Sequence, residues 1–191
     1  GETRLTDALF SDDTRYMSQA LQQLGVLVKP DAEACHFDIT GNGGKIPVDG
    51  AELYIGNSGT TARSLVSYVA LGNGTFVIDG DEPMRRTRPI ADLLDALSGL
   101  GIDVRSQSDN GCLPVVVLAR GFTGGKTQID ASKSSQFLTS LMLTAPCTDD
   151  GLEIEMIGEL KRQYIDITMA VMQAFGVVVE HEDYQTFRIA G

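Results

Sequence analysis

The residues best suited to chemistry lie in a few turns rich in glycine, hydroxyls or cations. Gly56-Asn57-Ser58-Gly59-Thr60-Thr61-Ala62-Arg63 runs straight into an apolar stretch. It therefore opens a helix whose free N–H groups and positive dipole end suit a phosphate or a carboxylate. The turn is not a GxxxxGK[ST] phosphate loop, since no lysine follows its second glycine, and it does not match GxGxxG. Taken alone, ordinary helix capping by its serine or asparagine explains it equally well. A second turn, Ser132-Lys133-Ser134-Ser135-Gln136, again sets hydroxyls and a cation at the start of an apolar helix, and two such turns outweigh either alone.

Cations supply the other half of the pattern. Arg85-Arg86-Thr87-Arg88-Pro89 carries three guanidinium groups within four residues of a strongly acidic chain, and arginine can grip carboxylate or phosphate bidentately. Arg85 and Arg86 read as solvated arginines paired with acids; Arg88, against the helix start at Pro89, is the better ligand candidate. Lys161-Arg162-Gln163-Tyr164 occupies a similar strand-to-helix junction further on. If these junctions share a symmetry axis, their cations and hydroxyls converge.

Proton-transfer and metal chemistry have no comparable signal. His36 and His181 stand alone in or beside predicted strands, without ligand partners at helical spacing, so no metal site is expected. There is no GxSxG elbow and no paired-carboxylate motif. Asp12 and Asp13 after Ser11 read as a helix cap, and Asp166 as a structural helix residue.

Composition narrows the partners. The 191 residues include 15 Lys and Arg against 26 Asp and Glu, a net charge of −11, so a sequence-independent grip on nucleic acid or an anionic membrane is not expected. The three cysteines, Cys35, Cys112 and Cys147, are far apart with no CxxC pair; they read as reduced, buried thiols of a cytoplasmic protein. No run of apolar residues reaches membrane-span length and no signal peptide is visible.

The elements that must position these turns form a repeat. Ala20-Leu21-Gln22-Gln23-Leu24-Gly25-Val26, Ala96-Leu97-Ser98-Gly99-Leu100-Gly101-Ile102 and Val171-Met172-Gln173-Ala174-Phe175-Gly176-Val177 each read as a helix end, a glycine stop and a strand start. Strands are predicted upstream at Thr3–Phe10, Thr75–Gly80 and Leu152–Gly158, and downstream at Leu113–Ala119 and Thr186–Ala190. Two helices apolar nearly all round, Thr60–Leu71 and Ser135–Thr144, should be buried. The register places a third such helix before Gly1, where the sequence starts directly at Gly1-Glu2-Thr3. The whole of residues 1–191 is expected to be a single α/β domain with internal pseudosymmetry.

Gly56-Asn57-Ser58-Gly59-Thr60, Arg88-Pro89-Ile90, Ser134-Ser135-Gln136-Phe137-Leu138-Thr139-Ser140-Leu141 and Tyr164-Ile165-Asp166-Ile167-Thr168 resemble, in order along the whole chain, the 5-enolpyruvylshikimate-3-phosphate synthase family. The resemblance implies a pseudo-threefold set of βαβαββ repeats forming one inside-out α/β domain of the enolpyruvyl transferase type, its first helix missing. It implies the first domain of a two-domain enzyme that moves the carboxyvinyl group of phosphoenolpyruvate onto the 5-hydroxyl of shikimate 3-phosphate, without a cofactor. Carried over by motif, Ser134, Ser135, Gln136, Tyr164 and Lys161 would contact shikimate 3-phosphate. Gly59, Arg88, Asn57 and Gln136 would contact phosphoenolpyruvate, for which the herbicide glyphosate competes. The family's acid–base carboxylates belong to segments outside this sequence, so no catalytic residue is expected here.

Two positions depart from the family pattern. Lys161-Arg162-Gln163 replaces a Ser-Lys-Pro or Ser-Arg-Pro ahead of the tyrosine, removing one phosphate donor that Lys161 could replace. Ser64 stands where many members have proline. The leading expectation is a half-site that binds substrate without turnover, completed by a C-terminal domain. The alternatives are a diverged, noncatalytic anion-binding module and a protein-interaction domain using exposed apolar surface.

Overall fold

The computed structural model describes residues 1–191 and arranges them as three sheets around two central helices. The first sheet is built from β1 (Glu2–Leu5), β2 (Leu27–Asp31) and β3 (His36–Thr40), with α1 (Asp12–Gln23) between β1 and β2. Its order is β1-β3-β2, antiparallel throughout. The second contains β4 (Gly50–Tyr54), α2 (Gly59–Val69), β5 (Asn73–Asp79), the short α3 (Glu82–Arg86), α4 (Ala91–Gly99), β6 (Asp103–Ser106) and β7 (Val115–Arg120). Here β4 and β5 are parallel, and the order is β4-β5-β7-β6. The third repeats it as β8 (Gly125–Asp130), α5 (Gln136–Thr144), β9 (Leu152–Ile157), α6 (Arg162–Ala174), β10 (Val179–Glu182) and β11 (Thr186–Ile189), with β8 parallel to β9.

The repeat rests on one local device used three times. Gly25, Gly101 and Gly176 take φ values of +87°, +83° and +84°, the left-handed conformation open to glycine without penalty. In each copy the residue after the glycine donates its N–H back across the helix end: Val26 to the Leu21 carbonyl, Ile102 to Leu97 and Val177 to Met172, at 2.9, 3.1 and 2.9 Å. These are Schellman closures, which turn the chain sharply into the following strand. Gly101→Ala should cost roughly 1–2 kcal/mol, since a Cβ there meets no neighbour and only the backbone conformation is penalised. Urea unfolding midpoints of wild type and variant check this.

Several boundaries differ from the sequence expectation. The strand predicted over residues 3–10 stops at Leu5, because Asp7 turns into the left-handed region at φ 52° and the Ala8 N–H then bonds Cys35 O. Ser11 caps α1 through a reciprocal box with Thr14. The first unit is βαββ where the others are βαβαββ. One helix was expected to be missing from it; the difference is a strand as well as a helix, because β1 corresponds to β5 and β9, each of which has a parallel neighbour. Of the cysteines, only Cys112 is buried; Cys35 and Cys147 are exposed, so the reading of all three as core residues fails.

Helices α2 and α5 cross at the centre, buried along most of their length as their apolar composition required. Ser140 Oγ lies 2.6 Å from both the Arg63 carbonyl oxygen and Ser67 Oγ, a polar tie inside this crossing. The outer helices interlock the units: α1 lies on β2 and on β4 of the next unit, and α4 on β6 and on β8. One continuous core of 38 buried residues therefore runs through all three units.

Candidate anion-binding site

In open α/β sheets, ligands collect beyond the carboxyl ends of parallel strands, where helix N-termini point outward. This chain has two parallel pairs, and every candidate residue follows one of their strands. Asn57 and Gly59 follow β4, Arg88 follows β5, Ser134 to Gln136 follow β8, and Lys161 and Tyr164 lie at the α6 start after β9.

The tightest part of the site surrounds Gly59. Arg88 Nη1 donates to Asn57 O at 2.6 Å and to Asn57 Oδ1 at 2.9 Å, so asparagine and arginine order one another. Arg63, one helical turn beyond Gly59, is 8% exposed. Its Nη1 donates to Gln136 Oε1 at 2.7 Å, while its Nε has no partner. Gln136 in turn donates to Thr60 Oγ1 at 2.8 Å and so bridges the starts of α2 and α5. A Cβ on Gly59 would overlap the ends of both the Arg88 and the Arg63 guanidinium groups.

Two guanidinium groups thus meet over a bare glycine, and neither has a carboxylate within ion-pair distance. Burial, and then the charge of Arg88, shift the Arg63 pKa downward. An anion seated between them would relieve both penalties. Ser58 is committed to capping: its Oγ accepts from Thr61 N and donates to Thr61 Oγ1. The Gly59 and Thr60 N–H groups remain without a backbone acceptor.

The second cluster is more open. Ser134 Oγ accepts from Gln136 N at 3.3 Å, and the buried Ser135 precedes α5 with no cap bond from its side chain. Thr139 and Thr168 hydroxyls meet at 3.0 Å between α5 and α6, one helical turn below Ser135 and Tyr164. Tyr164 is 60% exposed, and neither its hydroxyl nor Lys161 has a side-chain partner. The structure therefore sets Tyr164 and Lys161 beside the site without joining them to the Arg63, Arg88 and Gln136 network.

Other cations are occupied. Arg85 pairs with Asp79 and Arg86 with Glu82, as expected. Lys133, the cation of the α5 turn, reaches Asp92 of α4 at 2.9 Å. Arg162 stacks on Tyr184, whose hydroxyl donates to Asp166. Arg63 was not singled out as a ligand candidate; its signal was its place four residues after Gly59, on the same helix face and the only charge in that helix.

The architecture recurs in solved structures. An EPSP synthase from Acinetobacter baumannii superposes over 100% of this chain and 42% of its own, with a TM-score of 0.84 at 23% identity. The enolpyruvyl transferase NikO from Streptomyces tendae gives 0.60 at 16% identity, over 99% of this chain and 42% of its own. The fold is that of an enolpyruvyl transferase domain, with helices inside and sheets outside. The family model for EPSP synthase (3-phosphoshikimate 1-carboxyvinyltransferase) matches residues 1–191. Proteins named 3-phosphoshikimate 1-carboxyvinyltransferase from Sulfurovum sp. (strain NBC37-1) and Shewanella amazonensis are 42% and 45% identical over 100% of this chain. The chain belongs to the EPSP synthase family, a family of transferases, and spans 45% of the length of each of these relatives. None of its helices is long and apolar enough to cross a membrane.

Proposed function

We propose that residues 1–191 act as one domain, the shikimate 3-phosphate-binding half of a 3-phosphoshikimate 1-carboxyvinyltransferase. The observation that carries this reading is the meeting of Arg63 and Arg88, without a carboxylate, over the bare Gly59, tied by Gln136 to the hydroxyl-rich start of α5. In this reading Ser134, Ser135, Tyr164 and Lys161 hold shikimate 3-phosphate. Gly59, Arg88, Asn57 and Gln136 face phosphoenolpyruvate, and Arg63 joins them. The 5-hydroxyl of the first substrate attacks protonated phosphoenolpyruvate, and phosphate leaves the tetrahedral intermediate.

The contribution of this half is electrostatic positioning of two anions. Water exclusion and proton transfer fall to a C-terminal partner domain, so the isolated chain binds without turning over. The reaction belongs to aromatic amino-acid biosynthesis in the cytoplasm, which suits the chain's free cysteines.

Titration with shikimate 3-phosphate, followed by amide NMR shifts with shikimate as control, tests this. We expect saturable shifts around Ser134 to Gln136 and Tyr164, lost in a Ser134→Ala/Ser135→Ala variant. Equal responses to shikimate 3-phosphate and to inorganic phosphate would instead favour a diverged anion-binding module, and no response at millimolar ligand would reject binding by this half alone.

A further inference from the structure

The seam between α4 and β8 carries two polar ties, one helical turn apart on α4. The lower one is buried: Thr127 Oγ1 of β8 donates to the Ala96 carbonyl oxygen at 2.9 Å. The upper one lies past the end of β8, where Lys133 Nζ donates to both carboxylate oxygens of Asp92, at 3.1 and 2.9 Å. Asp92 is the second residue of α4, where the helix dipole favours a carboxylate, and its side chain is only 21% exposed. The Asp92 hydrogen bond, and then the charges of Asp92, Asp130 and Asp95, shift the Lys133 pKa upward. Lys133 is thus committed to the protein's own acids.

Each end of this pair adjoins a different part of the candidate site. Lys133 immediately precedes Ser134 and Ser135, and Asp92 follows Arg88 by four residues. Between Arg88 and Asp92 the chain is pinned by the Ile90 N–H, which donates to Gly111 O at 2.7 Å. The serine turn has few other anchors. Asp130 Oδ1 accepts from Ser132 N at 2.9 Å at its base, and Gln136 reaches Thr60 of α2 on its far side. Ser135 makes no cap bond. Without the ion pair, no side-chain bond would join residues 133–135 to α4.

We propose that the Lys133–Asp92 pair is a positioning latch, which fixes the Ser134–Ser135 turn relative to the Arg88 junction so that hydroxyls and guanidinium address their two anions together. The inference rests on the functional reading above and adds that Lys133 works through the turn, not on the phosphate. An exposed pair of this kind contributes little to global stability. Its effect is on geometry, where a small misplacement of binding groups is costly. The two roles open to Lys133 predict opposite signs. A lysine that touched the phosphate would be freed by Asp92→Asn and bind it more tightly; a latch broken by the same change loosens the turn and weakens binding.

Asp92→Asn, Lys133→Met, the double variant and Lys133→Arg are compared in the 191-residue chain. Without ligand, the heteronuclear NOE of the Ser132 to Gln136 amides should fall alike in Asp92→Asn and Lys133→Met, with Tm within about 4 °C of wild type. Each should then bind shikimate 3-phosphate about five- to tenfold more weakly in amide-shift titrations, and the double variant no more weakly than either. Lys133→Arg, which keeps charge and reach, should match wild type. Unchanged NOEs, tighter binding by Asp92→Asn, additive losses in the double variant, or wild-type affinity in both single variants would overturn the latch. A wild-type chain that gives no shifts with shikimate 3-phosphate rejects the functional reading instead, and the ligand-free NOEs then decide the latch by themselves.

Discussion

Gly59→Ala should weaken phosphoenolpyruvate binding about ten- to hundredfold, measured with shikimate 3-phosphate present, while leaving the fold intact. The added methyl group overlaps the tips of the Arg88 and Arg63 side chains, not backbone, so the arginines swing away and the main chain keeps its course. Gly59 is the first residue of α2, where alanine is a better helix former. Each charge-assisted hydrogen bond lost to an anionic ligand is worth about 1.5–3 kcal/mol, which is the expected factor. Calorimetric titration gives the affinity and thermal unfolding the stability. An affinity unchanged within about twofold would remove Gly59 from the site.

Arg63→Met should separate binding from stability even more clearly. The guanidinium is buried without a counter-charge and with an unpartnered Nε, an arrangement that costs folding free energy. Methionine fills similar volume and keeps contact with the Phe137 ring, which the guanidinium faces at 5.3 Å. Its loss leaves Gln136 Oε1 short of one donor, at a half-buried position that water can reach. We expect Tm to hold or rise and phosphoenolpyruvate affinity to fall at least about tenfold. A stability loss beyond about 3 kcal/mol in urea unfolding would instead make Arg63 a structural residue.

These two variants concern a network only partly visible in the sequence. The three glycine stops were legible because a left-handed helix end demands glycine, and the buried helices because they carry almost no charge. The four turns were legible for the same local reason: each lies at a strand-to-helix junction with hydroxyls or cations. Long-range pairings were not. Lys133 is neutralised by Asp92, 41 positions away, and Gln136 finds Thr60 across 76 positions. Such partners are chosen by how the units pack, which no local pattern encodes. The early end of β1 escaped for another reason: Asp7 adopts a conformation that aspartate permits but does not announce.

The placement of α1 and α4, each resting on its own sheet and on the next, bears on how the chain folds. No unit owns a complete hydrophobic interior, so none forms a stable intermediate by itself, unlike the stepwise units of a solenoid. Loosening β4 exposes α1, and loosening β8 exposes α4, which passes any local opening to a neighbour. Heat or denaturant therefore meets a single cooperative transition in place of three small ones. Its formation waits on contacts between residues distant in the chain, which places this protein among slow folders for its size.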